Sequence, residues 1–162
     1  MTKLDAVEIG NPCWADVMTS DMAATRAFYG ALLGWDSDEP NEEFGGYVNF
    51  TKDGERIAGA MTNQSGGAVP DLWSIYIAVA DAAATTEAAK AAGGSVMVEP
   101  MAVGTLGTMA VVVEPTGAVI GMWQPGDHKG FGYLAEPGAP GWFELFTKDY
   151  EASRSFLSLI HI

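Results

Sequence analysis

An α+β fold, built from a strand–helix–strand–strand–strand unit that occurs twice, is the architecture that this sequence of 162 residues predicts. The main observation is an internal repeat, because VMTSDMAATRAFYGALLGWDSDEP at residues 17–40 matches IAVADAAATTEAAKAAGGSVMVEP at residues 77–100. The matched pairs outside the alanine-rich positions are Asp21/Asp81, Thr25/Thr85, Gly34/Gly94, Glu39/Glu99 and Pro40/Pro100. Each copy begins as an apolar strand and continues into a helix with recognisable capping residues.

The first half opens with a predicted strand at residues 13–19 and a predicted helix at residues 22–33. Asp21 stands where its carboxylate can accept from the free backbone N–H groups of the helix start. Phe28 and Leu32, four residues apart, share one apolar stripe of this helix. Gly34 suits the left-handed position that ends it. Strands are then predicted at residues 47–51 and 56–62, around the turn Lys52-Asp53-Gly54.

The second half repeats this order. A strand is predicted at residues 72–79, followed by a helix at residues 82–92 that Gly93 and Gly94 end. Three further strands are predicted at residues 95–98, 108–113 and 118–124, with Pro115-Thr116-Gly117 as the turn between the last two.

A second, longer repeat extends beyond this module. NPCWADVMTSDMAATRAF at residues 11–28 matches APGWFELFTKDYEASRSF at residues 139–156, with seven of eighteen pairs identical. Tryptophan, proline and phenylalanine are among the identities, which composition alone does not explain. The pattern predicts a linker at residues 126–141, rich in glycine and proline, and the start of a truncated second module at residues 142–156.

The last six residues, LSLIHI, raise a separate hypothesis. The codons CTG TCT CTT ATA CAC ATC encode this string, and they match a transposon end used to prepare sequencing libraries. Residues 157–162 are therefore expected to be an adapter artefact that belongs to neither module, with a natural tail as the alternative.

Three segments of the module are distinctive: TSDMAATRAFYGALLGW, VADAAATTEAAKAAGG and VVVEPTGAVIGMWQP. In these segments the module resembles the vicinal oxygen chelate superfamily, which contains glyoxalase I, bleomycin and fosfomycin resistance proteins, and extradiol dioxygenases. The resemblance covers residues 7–125, with halves at about 7–66 and 67–125, and resumes at Trp142. It implies paired βαβββ units that form a cupped eight-stranded mixed sheet, with the site on the concave face.

Enzymes of that superfamily hold a divalent metal at four positions inside the cup. The resemblance puts those positions at Trp14, at Ser74, at Gly121 and at Ala58 or Gly59. An indole N–H only donates hydrogen bonds, and glycine and alanine have no side-chain ligand. A catalytic metal site needs about three protein ligands. We therefore expect a module that holds no metal and no other cofactor.

Alternation along the strands predicts what lines the cup instead. Trp14 shares a strand face with Asp16, Ser74 with Tyr76, and Gly121 with Trp123. The predicted ligand-binding residues are Trp14, Asp16, Met61, Ser74, Tyr76 and Trp123, a composition that suits an apolar or planar organic molecule. Packing explains Trp14 equally well, and Met61 is more often a core residue than a ligand contact. Asp16 is a weak candidate for an acid/base group, since a strand aspartate at a solvated mouth is equally ordinary.

Three function classes remain open at this point. The first is a metal-independent module that binds a small apolar or aromatic molecule, as in sequestration or bleomycin resistance. The second is an enzyme, lyase-like or dioxygenase-like, that uses either non-standard metal ligands such as Asp16 and Tyr76 or Asp16 as acid/base. The third is a structural dimerisation domain whose cup is a packed core. The sequence leaves open whether the chain is an enzyme.

Composition limits the partners. A net charge of −13, from 21 acidic and 8 basic residues, disfavours nucleic acid, and no apolar run is long enough to span a membrane. A single cysteine and the lack of a signal peptide favour the cytoplasm. Because modules of the superfamily pair, a truncated chain is expected to form a homodimer, with the segment after Gly141 disordered or added to a sheet edge.

Overall fold

The structure, a computed structural model, describes residues 3–160. The predicted α+β class is confirmed: within that range the chain has helices and eight strands of a mixed sheet. The elements are β1 (Pro12–Thr19), α1 (Met22–Leu33), β2 (Asp36–Ser37), a 3-10 turn (Glu42–Phe44), β3 (Val48–Lys52), β4 (Glu55–Thr62), β5 (Leu72–Ala78), α2 (Ala82–Ala91), β6 (Ser95–Val103), β7 (Gly107–Val113), β8 (Val119–Pro125) and α3 (Tyr150–Ile160).

The chain divides into two compact units. Among the described residues, the first unit comprises 3–5, 14–74 and 131–142, and the second comprises 6–13, 75–130 and 143–160. In each unit, four strands follow the same pattern of one parallel and two antiparallel pairings. None of the helices within residues 3–160 is long and apolar enough to cross a membrane.

In the first unit the strand order is β2-β3-β4-β1. β1 and β4 run parallel, with Asp16 opposite Gly59, whereas β3 is antiparallel to both β4 and β2. Met22, Tyr29 and Leu33 of α1 pack on the core of this unit. The predicted apolar stripe of Phe28 and Leu32 does not pack on this core, because Phe28 is 58% exposed and Leu32 is 62% exposed.

In the second unit the strand order is β5-β8-β7-β6. β5 and β8 run parallel, with Tyr76 opposite Gly121, and β7 is antiparallel to both β8 and β6. Burial of apolar side chains is the main force that holds such a unit together. The core between this sheet and its helices contains Val79, Ala82, Ala89, Ala110, Val112, Ile120, Met122 and Phe156.

The helix caps form as the sequence predicts. Asp21 accepts a hydrogen bond from the Ala24 N–H at 2.9 Å, and Asp81 accepts one from the Ala84 N–H at 2.9 Å. These bonds satisfy N–H groups that have no partner inside the helix. Gly34 ends α1 at φ 69°, in the left-handed region that favours glycine.

The segment after Gly141 departs from expectation. Residues 142–147 form no strand, and Trp142 is 80% exposed. α3 is nevertheless ordered, and it packs on α2 with Phe156 only 2% exposed. The expectation of a disordered or strand-adding segment is therefore wrong for α3, because the helix has an apolar surface to bury against. Residues 157–160 continue α3, and the rest of the suspected adapter segment, His161 and Ile162, lies outside the described residues.

Candidate functional site

A hydrogen-bonded chain of three side chains forms in the first unit. Trp14 and Asp16 lie two residues apart on β1, on one face of the strand, and are 5% and 3% exposed. The Trp14 indole Nε1–H donates to the Tyr47 hydroxyl at 2.8 Å, and that hydroxyl donates to Asp16 Oδ2 at 3.3 Å. These two hydrogen bonds fix the orientation of the buried Asp16 carboxylate, whose burial would be costly without hydrogen bonds.

Sequence reasoning did not predict Tyr47 as a member of this hydrogen-bonded group. It immediately precedes β3, and no motif marks it. The signal that could have identified it is Gly59, a glycine inside a strand, which often indicates close approach of another group. A Cβ atom built on Gly59 would lie 1.8 Å from the Tyr47 hydroxyl oxygen and 2.4 Å from Cζ. The tyrosine ring therefore occupies the space that any side chain at position 59 would need.

The second unit contains a matching pair. Gly121 lies opposite Tyr76, and a Cβ atom on Gly121 would lie 2.3 Å from Tyr76 Cδ1. Asp16 and Tyr76 are sixty residues apart and therefore equivalent in the internal repeat. Because Gly59 is opposite Asp16 as Gly121 is opposite Tyr76, the first-half counterpart of Gly121 is Gly59 rather than Ala58.

The other predicted site residues have distinct surroundings. Trp123 on β8 is 7% exposed, and its Nε1–H donates to the His128 carbonyl oxygen at 2.9 Å. Met61 on β4 is half-buried opposite Met18, and Ser74 on β5 is half-buried. The structure thus brings Trp14 and Asp16 together through Tyr47 in the first unit and places Tyr76 over Gly121 in the second.

The Trp14 ring also has a packing role. The ring of Phe131, which is 1% exposed, lies beside it with centroids 5.6 Å apart. Phe131 lies within residues 126–141, which the sequence predicts to be a linker. Trp14 is therefore both a packing residue and a hydrogen-bond donor to Tyr47, and its role in ligand binding stays a prediction.

The residues at the four family positions do not fit a metal ion. Trp14 offers a donor only, Ser74 offers one hydroxyl, and Gly59 and Gly121 offer no side chain. The two glycines also face tyrosine rings in place of open space. Within residues 3–160, no group of three histidine, cysteine, aspartate or glutamate side chains is arranged to hold a metal ion.

A buried carboxylate lies in the turn between β7 and β8. Glu114 is 2% exposed and accepts from the Thr116 hydroxyl, from the Ala118 N–H at 3.2 Å and from the Ser153 hydroxyl at 3.3 Å. Burial raises the pKa of Glu114, but these hydrogen bonds outweigh burial and hold the pKa below its usual 4.5. Because Ser153 belongs to α3, the carboxylate connects that helix to the turn, which is a structural role.

Cys13 is fully buried, and burial raises the pKa of its thiol to about 12. A thiol is nucleophilic only as the thiolate, so Cys13 is not suited to covalent catalysis near neutral pH.

Comparison with known proteins places the chain in a family. Residues 11–122 match the model of the Glyoxalase/Bleomycin resistance protein/Dioxygenase superfamily. The chain is 35% identical over 161 residues to Anthracycline biosynthesis protein DauV of Streptomyces sp. (strain C5), and the match covers 91% of this chain and 58% of DauV. Anthracycline biosynthesis protein DnrV of Streptomyces peucetius is 35% identical over 161 residues, with the same 91% and 58% coverage.

Among solved structures, the Mn(II)-bound glyoxalase from Novosphingobium aromaticivorans is similar in fold. Its TM-score is 0.62 at 14% identity, and the match covers 94% of this chain and 53% of that one. The chain thus spans less than two thirds of the length of these relatives. The matched family model, the 35% identity and the eight-stranded mixed sheet agree, and the chain belongs to the Glyoxalase/Bleomycin resistance protein/Dioxygenase superfamily.

Proposed function

We propose that this chain is a metal-independent module of its superfamily that binds a small apolar or aromatic molecule. The observation that carries the proposal is the pair of glycines, Gly59 and Gly121, each with a tyrosine ring in the space where a side chain would begin. In this proposal, aromatic surface replaces the carboxylate or imidazole groups that would ligate a metal.

The metal-independent part rests on donor chemistry. Trp14 and Ser74 supply at most one oxygen ligand between them, and binding of a divalent metal by a protein takes about three side-chain ligands. Restoring a ligand at position 59 or 121 by mutation would also require the facing tyrosine to move. Metal binding at positions 59 and 121 is therefore opposed both by the missing side-chain ligands of the two glycines and by the tyrosine rings that occupy the space.

The ligand class follows from the side chains around these positions. In the first unit, Trp14 and Tyr47 offer apolar ring surface with hydrogen-bonding groups, a composition typical of sites for planar organic molecules. Tyr76 offers the same kind of side chain in the second unit. Relatives with 35% identity are named as anthracycline biosynthesis proteins. An anthracycline has a planar aromatic ring system, so this compound class is the first to test.

The binding test uses the full chain and daunorubicin as the anthracycline probe. Titration is followed by calorimetry, together with quenching of tryptophan fluorescence. Binding should be saturable and should weaken at least about fivefold in Trp14→Ala, since truncation of a buried aromatic anchor costs more than about 1 kcal/mol. The matched control is Trp142→Ala, because Trp142 is 80% exposed. Lack of saturable binding across daunorubicin and a panel of aromatic acids and phenols would reject the ligand class.

The metal test is independent of the ligand. The chain is purified without chelator from cells supplied with manganese, iron, nickel and zinc, and its metal content is measured by mass spectrometry. Less than a tenth of an equivalent of each metal is expected. One equivalent that survives dialysis and is lost in Asp16→Asn would reject metal independence and favour an enzyme with non-standard ligands.

Asp16 favours one alternative, a cofactor-free enzyme. It is 3% exposed and is oriented by Tyr47, and a buried, oriented carboxylate can serve as a general base if a substrate C–H or O–H lies within hydrogen-bond reach. The test is exchange of carbon-bound protons for deuterium in D2O, measured with any ligand that the titration identifies, because O–H protons exchange without an enzyme. Exchange that requires Asp16, and is lost in Asp16→Asn while binding persists, would support the enzyme. Binding without exchange would support the binding module.

A further inference from the structure

Methionines are concentrated on two neighbouring strands at the edge of the second unit. Met97 and Met101 belong to β6, the last strand in the order β5-β8-β7-β6, and Met109 belongs to β7. Met97 is 60% exposed, Met101 is 50% exposed and Met109 is half-buried. Met122 of β8, in contrast, is fully buried in the core of this unit. The Met97 and Met101 thioethers are therefore open to solvent, where a dissolved oxidant can reach them.

The strand register places one of these exposed methionines in a row with Trp123. Met101 lies opposite Met109, and Met109 lies opposite Trp123. Residues directly opposite each other in a sheet share one face, with Cβ atoms about 4.5–5.5 Å apart. The Trp123 ring also extends over β7, because a Cβ atom on Gly107 would lie 2.6 Å from Trp123 Cζ2. Met101, Met109 and Trp123 thus form a continuous row on one face of the sheet, which we call the methionine row.

The methionine row has apolar neighbours on its face of the sheet. Val98, Val111 and Gly121 lie opposite one another in the next row. Tyr76, which the sequence predicts to bind ligand as it does Trp123, lies opposite Gly121 and therefore on the same face. The other face of β7 packs on the core of the unit, as Val112 shows. The methionine row is therefore part of the face that carries the predicted ligand-binding residues of the second unit.

Met97 lies outside this row. The register is shifted between Val96 and Val98, so Met97 is the extra residue of a β-bulge. Its position in the sequence puts it roughly 13 Å from Met101 along the strand. Met97 is more exposed than Met101 but is not aligned with Trp123. It therefore serves as an internal control for effects of exposure alone.

We propose that Met101 is an oxidation site through which a hydroperoxide lowers the affinity of the second unit for an aromatic ligand. The thioether sulfur attacks the terminal peroxide oxygen, and the O–O bond breaks as the S–O bond forms. The proton of the transferred oxygen passes to the departing alkoxide or hydroxide, which leaves as an alcohol or as water. Sulfur loses two electrons and the peroxide gains them. The step converts a flexible apolar side chain into a polar sulfoxide.

The sulfoxide at position 101 places a polar group at one end of the apolar row that contains Trp123. A ligand that covers this row removes the sulfoxide oxygen from water, and a polar group without a hydrogen-bond partner in an apolar contact is unfavourable. The effect on affinity rests on the proposed function, whereas the oxidation itself does not. Because methionine sulfoxide reductases restore the thioether, the change is reversible.

The first experiment maps the oxidation in the full chain. The protein is treated with hydrogen peroxide for increasing times, the peroxide is removed with catalase, and each methionine is followed by peptide mass spectrometry. Met101 should reach half conversion at least about tenfold sooner than Met122, which is fully buried. In urea-unfolded protein, which is the control, the two rates should converge. Comparable rates for these two residues in the folded chain would overturn the inference.

The second experiment measures the affinity for daunorubicin before and after oxidation. After peroxide treatment, the wild-type chain and Met97→Leu should both bind about tenfold more weakly, the effect of one polar group left without a partner in an apolar contact. Met101→Leu has an apolar side chain of similar size that peroxide does not oxidise, so peroxide should change its affinity less than about twofold. Methionine sulfoxide reductases A and B should restore the affinity of the wild-type chain.

The outcomes separate this inference from the proposed function. If the untreated chain binds neither daunorubicin nor the aromatic acids and phenols, the proposed function fails, and the regulation of affinity fails with it. The oxidation rates then still decide whether Met101 is an oxidation site. If the untreated chain binds but peroxide leaves its affinity unchanged, the inference is overturned and the proposed function stands. A loss of affinity that Met97→Leu prevents and Met101→Leu does not would overturn it as well.

Discussion

Gly59→Ala tests whether Tyr47 occupies the space next to this strand position. The added Cβ would lie 1.8 Å from the Tyr47 hydroxyl oxygen, far inside contact distance, so the tyrosine must move. Its movement breaks the 2.8 Å hydrogen bond from Trp14 and the 3.3 Å hydrogen bond to Asp16. The backbone at Gly59 is outside the left-handed region, and alanine therefore introduces no backbone strain of its own.

The size of the effect follows from these contacts. Each hydrogen bond contributes about 1 kcal/mol, and a buried polar group that loses its partner costs about 1–3 kcal/mol. Replacement of glycine by alanine in a strand returns about 0.5–1 kcal/mol. The free energy of unfolding of Gly59→Ala should therefore fall by about 2–4.5 kcal/mol.

A double-mutant cycle isolates the contact. Tyr47→Ala removes the ring, and in that background Gly59→Ala should be neutral or stabilising by about 0.5–1 kcal/mol. The free energies of unfolding are measured for all four chains by urea titration, with tryptophan fluorescence as the signal. Gly141→Ala is the matched control, because its Cβ would meet only Ala135 at an ordinary 3.5 Å.

Equal costs of Gly59→Ala with and without the Tyr47 ring would refute this reasoning. A stabilising effect of Gly59→Ala in the otherwise wild-type chain would also refute it. Either result would mean that the ring does not occupy the position and that the glycine has another cause, which would also remove the steric argument against a metal ligand there.

Three further predictions test the surrounding chemistry. Tyr47→Phe should lower the free energy of unfolding by about 1–2 kcal/mol, because the hydroxyl bridges Trp14 and Asp16, and urea titration measures this. The pKa of Glu114 lies below its unfolded value of 4.5, so its stabilising effect is present above pH 4.5 and is lost as the pH falls through the folded pKa. The urea midpoint of Glu114→Gln should therefore change less than that of the wild type between pH 6 and pH 3, and an equal change would contradict the assignment. Cys13, with its pKa raised to about 12, should not react with Ellman's reagent at pH 8 until urea unfolds the chain.

Local sequence signals determined most of the element order. An aspartate that accepts from the third N–H after it, and a glycine that takes a left-handed conformation, act within a few residues. The starts of α1 and α2 and the end of α1 could therefore be read from the chain alone. The mixed sheet with its βαβββ repeat followed from the same signals together with the resemblance to a known family.

The contacts at the candidate site could be identified only from the tertiary structure. Whether Ala58 or Gly59 is the counterpart of Gly121 depends on the register of β1 with β4, which no local signal determines. Tyr47 was missed because its role depends on a close approach across strands, to a glycine twelve residues away. Sequence reasoning named Trp14 and Asp16, but the hydroxyl that connects them appears only when β3 is in position.

α1 and α3, which have matching sequences, show most clearly what the sequence determined and what the tertiary structure decided. α1 and α3 share the same cap, the same hydroxyl pair and the same aromatic residue, so their sequences determined the same local structure. Phe28 is nevertheless exposed and Phe156 is buried. Helix formation depends on neighbours along the chain, whereas burial depends on the surface that happens to lie opposite. Only the tertiary structure could decide that Gly94 meets Phe156 and leaves Phe28 without an equivalent glycine notch against it.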